Sequence, residues 1–332
     1  MNLLALIAVF FIEQYQPLAY RRVVGEPLQQ WADFMAQRFN AGQRSHGVAA
    51  WLLAVLLPVL ALALVYFALA TVSSLLALAL TVGVLYLGMG FRQFSHHFSE
   101  IQLALRLGDI ERARQALAEW QGRGRQTLGA GEIAAEAIET ALLAAHRHVF
   151  AVMLWFVLLP GPCGVLLYRL AQIVQERWAQ LDRDNGEEGE FARFSRRAFF
   201  WLDWLGAAPA AVARDLARRA SFWRAGLPQR ATAVAFAIVG NFEDALHCWR
   251  SQVNQGFVAP ESAIVLASGA GALGVRLGGD DFAEGEVSAA PEFGVGEPAD
   301  PDTLQRAVGL VWRATVLWVI LLLSLGLAAL VG

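Results

Sequence analysis

Lysine is absent, so all 26 basic residues of this 332-residue chain are arginine. A Walker P-loop, a Schiff-base site and a pyridoxal-phosphate site each need a lysine amine, and the sequence excludes all three. Charge of either sign is scarce: 17% of residues are charged, against about a quarter in an average soluble chain. The two cysteines, Cys163 and Cys248, are too few for a disulfide framework or a four-cysteine zinc site, and they read as small apolar side chains. Six histidines include no HxxxH pair. His146 and His148 fall on different faces of a helix, so these two, with His96 and His97, read as histidines flanking apolar spans, and no metal site is expected. The chain has no Gly-x-Ser-x-Gly elbow for a serine hydrolase. A net charge of -3 gives no basic footprint, so no nucleic-acid partner is expected.

What the chain has in abundance is apolar sequence: 57% hydrophobic residues and a mean hydropathy of +0.45. A membrane helix needs about 20 apolar residues to cross roughly 30 Å of hydrocarbon. Val48–Val72 and Leu75–Gly90 are nearly unbroken apolar runs joined at Ser73-Ser74, a transmembrane hairpin over 48–90. Leu310–Val331 is a C-terminal span. Val149–Leu167 carries Pro160-Gly161-Pro162, where proline removes a backbone donor, so 149–168 reads as a broken transmembrane or re-entrant segment. Met1–Ile12 lacks a basic leader and a cleavage site, and reads as a short embedded or interfacial helix rather than a signal peptide. The fold class is therefore all-α: a polytopic integral membrane protein with about four transmembrane or re-entrant helices and a helical cytoplasmic portion.

Arginine placement suggests the orientation. Arg21, Arg22, Arg38 and Arg44 precede the first long span and Arg92 follows the hairpin, whose tip is uncharged. By the positive-inside rule the tip faces away from the cytoplasm and 92–147 is cytoplasmic. From Arg92 on, Asp109 is placed to cap a helix running to Trp120, Gly122-Arg123-Gly124 breaks it, and a second helix runs from about Glu132 into the apolar stretch. Region 169–307 is polar. Its stretch 280–302 holds eight acids and no basic residue and reads as an acidic linker.

Gly269-Ala270-Gly271-Ala272-Leu273-Gly274 matches GxGxxG literally. A dinucleotide site needs a strand before it and a helix after it, and Gly278-Gly279 truncates any such helix. Small residues at this density favour close helix packing instead. Glu13, at the end of an embedded segment, is either a functional acid or a wet interfacial one. Arg123, Arg169 and Arg276 stand beside glycine or apolar sequence, suited either to fork-like anchoring of phosphate or carboxylate or to snorkelling.

Taken together these residues resemble the CobD/CbiB family, membrane adenosylcobinamide-phosphate synthases of cobalamin biosynthesis, over most of the chain. The resemblance rests on Phe39-Asn40, Arg44 and Gly47 before the first span, Gly108-Asp109 with Ala113-Arg114, and Gly122-Arg123. It continues through Gly161 and Gly164 to Tyr168-Arg169, with Ala270–Gly279 as the most specific match. It implies one membrane domain over 1–332 in a bacterial inner membrane, and an amide-forming ligase that joins an aminopropanol phosphate to adenosylcobyric acid. It further implies candidate catalytic acids Glu13 and Glu139, and phosphate or substrate contacts from Asn40, Arg44, Arg123, Tyr168, Arg169 and Arg276. Gly271, Gly274, Gly278 and Gly279 would serve close packing. ATP and Mg2+ would be used without a covalently held cofactor, and the partners would be the bilayer and a corrinoid.

There are departures from the family pattern. Its inner Glu, Asn and Asp fall on Leu143, Ala144 and Arg147, and a later Asn and Asp fall on Gln172 and Gln175. The N-terminal Gly-Asp-Pro and an Asn-Ala-Gly stretch are also replaced. Val239-Gly240-Asn241-Phe242 with Trp249-Arg250 resembles AmpE, a smaller relative linked to β-lactamase regulation. A non-enzymatic signalling protein with a partner surface is the alternative, and the sequence leaves open whether the chain is an enzyme.

Overall fold

The structure is a computed structural model describing residues 2–15, 24–39, 44–89, 91–122, 128–185, 194–196, 198, 227–253, 260–278, 280–283, 286–289 and 292–331. Helix dominates, and the chain divides into two compact units: Met1–Arg92 with Ala151–Asp203, and Gln93–Phe150 with Trp204–Gly332.

The first unit holds α1 (Asn2–Tyr15), α2 (Glu26–Phe39), α3 (Arg44–Trp51), α4 (Leu57–Val72), α5 (Ser74–Gly88), α9 (Ala151–Leu158) and α10 (Cys163–Asn185). A π-helical turn, Leu52–Leu56, joins α3 to α4, giving one helix from Gly47 to Val72 long and apolar enough to span a membrane. Ser73 is extended at φ -159°, which ends α4 and reverses the chain into α5, the hairpin expected from sequence. Lipid tails are as apolar as leucine, so helices in such a unit associate by close packing rather than by hydrophobic expulsion. Gly88 shows this: a Cβ there would lie 2.2 Å from Val165 Cγ1 of α10. The Pro160 break falls where the sequence places it. Gly161 turns the chain at φ +60°, and α10 packs back on α9. α10 also docks the amphipathic α2, through an Arg177–Asp33 ion pair at 2.7 Å and Trp178 Nε1 donating to Ala32 O at 2.9 Å.

The second unit holds α6 (Phe91–Arg106), α7 (Ile110–Gln121), α8 (Ala130–Ala145), α11 (Leu227–Val239), α12 (Phe242–Gln252), α13 (Pro260–Leu273) and α14 (Pro301–Val331); α6 begins within the first unit. Helix α13 is central, packing against α8, α11, α12 and α14. Ala233, Trp249 and Ile264 form a buried cluster there. Phe150 lies edge-on to Phe236 at 5.7 Å and stacks on Trp318 at 6.4 Å.

One feature agrees with the sequence reading and one differs. Helix α8 begins near Glu132 and runs on into the apolar stretch, as the sequence reading has it. A π-helical turn, His146–Phe150, carries it into α9, so Ala130–Leu158 is a second helix long and apolar enough to cross a membrane; Pro301–Gly326 is a third. At 15 residues α5 is among the shorter apolar helices. The expected linker, in turn, contains strand. β1 (Val275–Leu277) runs antiparallel to β4 (Phe293–Gly294) and parallel to β5 (Glu297–Pro298), and β2 (Asp280–Ala283) pairs with β3 (Glu286–Ala289).

Candidate functional site

The candidate residues fall in both units. Glu13 lies in α1 and Arg44 opens α3, with side chains outside the described set; Asn40, Arg123 and Gly279 lie outside the described residues. In the first unit, Tyr168 and Arg169 are adjacent on α10 and buried, at 0% and 3% exposure. Arg169 Nε donates to Gly88 O at 2.5 Å and Nη1 to Gln172 Oε1 at 3.0 Å. Gln172 Nε2 donates onward to Glu176 Oε1 at 3.1 Å. Gly88 closes α5, so the guanidinium sits at the negative end of that helix and engages one of its otherwise unpaired carbonyls.

In the second unit, Glu139 lies half-buried on α8 and Arg276 stands exposed at the centre of β1. The strand's backbone holds Arg276 opposite Gly294 and Pro298, and α8 packs against β1. The GxGxxG stretch lies inside and just after α13, with a strand following rather than preceding it. A Cβ at Gly269 would meet Leu142 Cδ1 at 2.7 Å, and one at Gly271 would meet Asp244 O at 2.6 Å. These glycines let α8 and α12 approach α13, and no phosphate cradle results. Gly274 and Gly278 take φ +66° and +80°, the left-handed conformations that favour glycine at a helix end and a turn.

Sequence reasoning missed a polar network on α8. Gln121 Nε2, at the end of α7, donates to Glu136 Oε2 at 3.2 Å and to Thr140 Oγ1 at 3.0 Å. Glu136, Glu139, Thr140 and Arg147 share one half-buried stripe, while Ile133, Ile138 and Leu142 opposite are sealed. The spacing of three and four residues was visible, but an apolar neighbourhood obscured it.

His146 is a core residue at 3% exposure rather than a residue at a span's edge. Thr232 Oγ1 donates to Pro228 O at 3.0 Å. His146 Nδ1 lies 2.9 Å from that oxygen, and when the hydroxyl hydrogen is on Pro228 O the imidazole donates from Nδ1.

Among the described residues no group of three or more His, Cys, Asp or Glu could hold a metal. Cys163 and Cys248 are buried and free. Burial and, secondarily, the Asp244 carboxylate push the Cys248 thiol up to about 11, so it stays protonated and unreactive at neutral pH.

Comparison with known proteins matches residues 7–192 to the family described as CobD/Cbib protein. That stretch includes Glu13, Asn40, Arg44, Arg123, Glu139, Tyr168 and Arg169. A cobalamin biosynthesis protein CobD from Stutzerimonas stutzeri (strain A1501) is 35% identical over 296 residues, 88% of this chain and 87% of its own. A protein of the same name from Chromobacterium violaceum is 32% identical over 258 residues, 78% of this chain and 73% of its own. No solved structure matches the chain.

Proposed function

Since this membrane protein belongs to the CobD/CbiB family, we propose that it acts in cobalamin biosynthesis, joining the amine of an aminopropanol phosphate to a carboxyl of adenosylcobyric acid. The observation that carries this reading is the similarity to two proteins named for cobalamin biosynthesis, reaching 35% identity over 88% of the chain. Both relatives carry the biosynthetic name, which sets the AmpE-like signalling alternative aside. A multi-pass position in a bacterial inner membrane suits the three spanning-length helices and the bacterial relatives.

Amide formation requires a deprotonated amine, an activated carboxyl and a developing charge held by fixed donors. ATP would supply the activation. Mg2+ ordinarily takes one or two carboxylates plus the substrate's phosphates, and the half-buried Glu136 fits as one such ligand. With no lysine in the chain, phosphate must be held by arginine forks and backbone amides. Glu139 would take the proton lost from the attacking ammonium. Half-buried placement raises the strength of each such contact by excluding part of the water.

The test is complementation. The full chain, expressed in a bacterium deleted for its own cobinamide-phosphate synthase and detected in membranes by blot, should restore corrinoid-dependent growth. Membrane-inserted protein without growth would overturn the reading.

A further inference from the structure

Helix α14 buries one face in the second unit, with Leu304, Ala307, Leu310, Val311, Ala314 and Trp318 sealed. Its opposite face is a stripe at steps of three and four residues, the spacing of neighbours on a helix surface: Asp302, Arg306, Gly309, Arg313, Val316 and Ile320. The stripe is polar as far as Arg313 and apolar after it, where Val316, Ile320 and Leu325 are each more than half exposed. From Ala314 to Val331 the chain carries no charge. That is about 27 Å of helix at 1.5 Å per residue, against roughly 30 Å of hydrocarbon. The change of character sets the hydrocarbon boundary at Trp312 and Arg313, with the exposed Trp312 at the depth where membrane tryptophans collect. Gln102 Nε2 of α6 donates to Gln305 Oε1 at 2.8 Å. The polar end of α14 therefore lies on the side of α6, which the arginine count makes cytoplasmic.

Arg313 Nε donates to Gly309 O at 3.2 Å, so its side chain runs back along the helix, away from the apolar stretch and over Gly309. Nη1 and Nη2 have no acceptor among the described residues. A Cβ at Gly309 would meet nothing within 4 Å, so the surface beside the guanidinium is open and lined by bare backbone. Arg306 stands on the same stripe, about 10 Å away along the axis, with Nη2 donating to Thr303 Oγ1 at 3.0 Å. No acid lies between the two arginines. We infer that Arg313, over the open Gly309, binds the phosphate of an anionic phospholipid in the leaflet on this side, with Arg306 adding attraction from farther out. A guanidinium fork matches phosphate oxygens, and the negative surface potential of the cytoplasmic leaflet draws arginines placed near it. The occupant is a phospholipid rather than a soluble phosphate because Val316 and Ile320 continue the stripe and offer its acyl chain an apolar track. A phosphate held there fixes the depth at which α14 enters the bilayer. This seating does not depend on the reaction proposed above.

The test is native mass spectrometry of the full chain in a neutral detergent, titrated with phosphatidylglycerol and, separately, with phosphatidylcholine. Arg313→Gln should weaken phosphatidylglycerol by about fivefold or more, one arginine's share of the attraction to an anionic surface. Phosphatidylcholine should change by less than about twofold. Gly309→Leu keeps every charge and meets no neighbour, and by filling the open surface it should weaken phosphatidylglycerol by about threefold or more. Arg313→Lys should retain most of the affinity. All three variants should keep the wild-type thermal midpoint, since Arg313 is exposed and the space at Gly309 is open. An excess of inorganic phosphate should leave the bound lipid in place. Unchanged phosphatidylglycerol affinity in Arg313→Gln would overturn the site and leave the guanidinium merely reaching water. Equal loss of both lipids would overturn it as well, and displacement by inorganic phosphate would overturn the choice of a lipid. Nitroxides placed by Gln305→Cys and Val316→Cys test the boundary itself. The first should collide with an aqueous nickel chelate and the second with oxygen dissolved in the lipid; both in one phase would remove the boundary from Arg313, and the site with it.

Discussion

At Arg169 a side chain that the sequence marks as a phosphate anchor is occupied with holding a helix end. Its guanidinium is buried and donates to Gly88 O and Gln172 Oε1. Removing it leaves a buried carbonyl and a buried amide oxygen without that donor, at a cost of about 1–3 kcal/mol each. Arg169→Met should therefore lower the thermal midpoint of the purified full chain by several degrees, with Arg169→Lys recovering only part, because an ammonium lacks the planar fork. An unchanged midpoint with weakened phosphate binding would restore the anchoring role. The sequence singled out this arginine because it stands in apolar surroundings. It could not name the acceptor, since carbonyl, carboxylate and phosphate oxygens all suit the same donors.

At the scale of elements, caps were readable and strands were not. Asp109 accepts from Arg112 N at 3.0 Å and starts α7 where expected, and Gly122, at φ +70°, ends it. The stretch from Val275 to Pro298 was opaque because its strands are two to four residues long, too short for an alternating pattern to register. Asp300, in the same acidic stretch, caps α14. Its Oδ1 accepts from Thr303 N at 2.7 Å, and Asp300 N donates to Thr303 Oγ1 at 3.3 Å. The Thr303 hydroxyl and amide, with Arg306 beyond, hold the Asp300 carboxyl below its ordinary range against a small opposing effect of burial. A depressed pKa in the folded state adds stability above the unfolded value, near 3.9; that stability is lost as pH falls through the folded value. Asp300→Ala should loosen α14's first turn by about 1 kcal/mol at pH 7. Hydrogen exchange over 301–308 should show it, and the difference from wild type should shrink below about pH 4. A difference that persists at lower pH would mean the carboxylate charge is irrelevant to the cap.

At the scale of the whole molecule, hydropathy locates two of the three spanning-length helices outright; for the third, Ala130–Leu158, it marks the apolar half, and the helix pattern marks the start near Glu132. Glu132, Glu136, Glu139 and Arg147 lower the mean hydropathy over the first half of that helix, so hydropathy alone does not join it to the apolar half. Averaging over a window hides the fact that these residues share one stripe, and the π-helical turn at His146 leaves no sequence mark. The orientation argument rests instead on arginine counts at the ends of the first hairpin, and it can be tested directly. Ser74 is exposed at the hairpin tip and Gln115 is exposed on α7. The native thiols are buried, and Cys248 is protonated at neutral pH, so both should react slowly with maleimide. In intact spheroplasts a membrane-impermeant maleimide should label Ser74→Cys, and Gln115→Cys only after lysis. The reverse pattern would invert the molecule, placing α7 outside and overturning the positive-inside assignment.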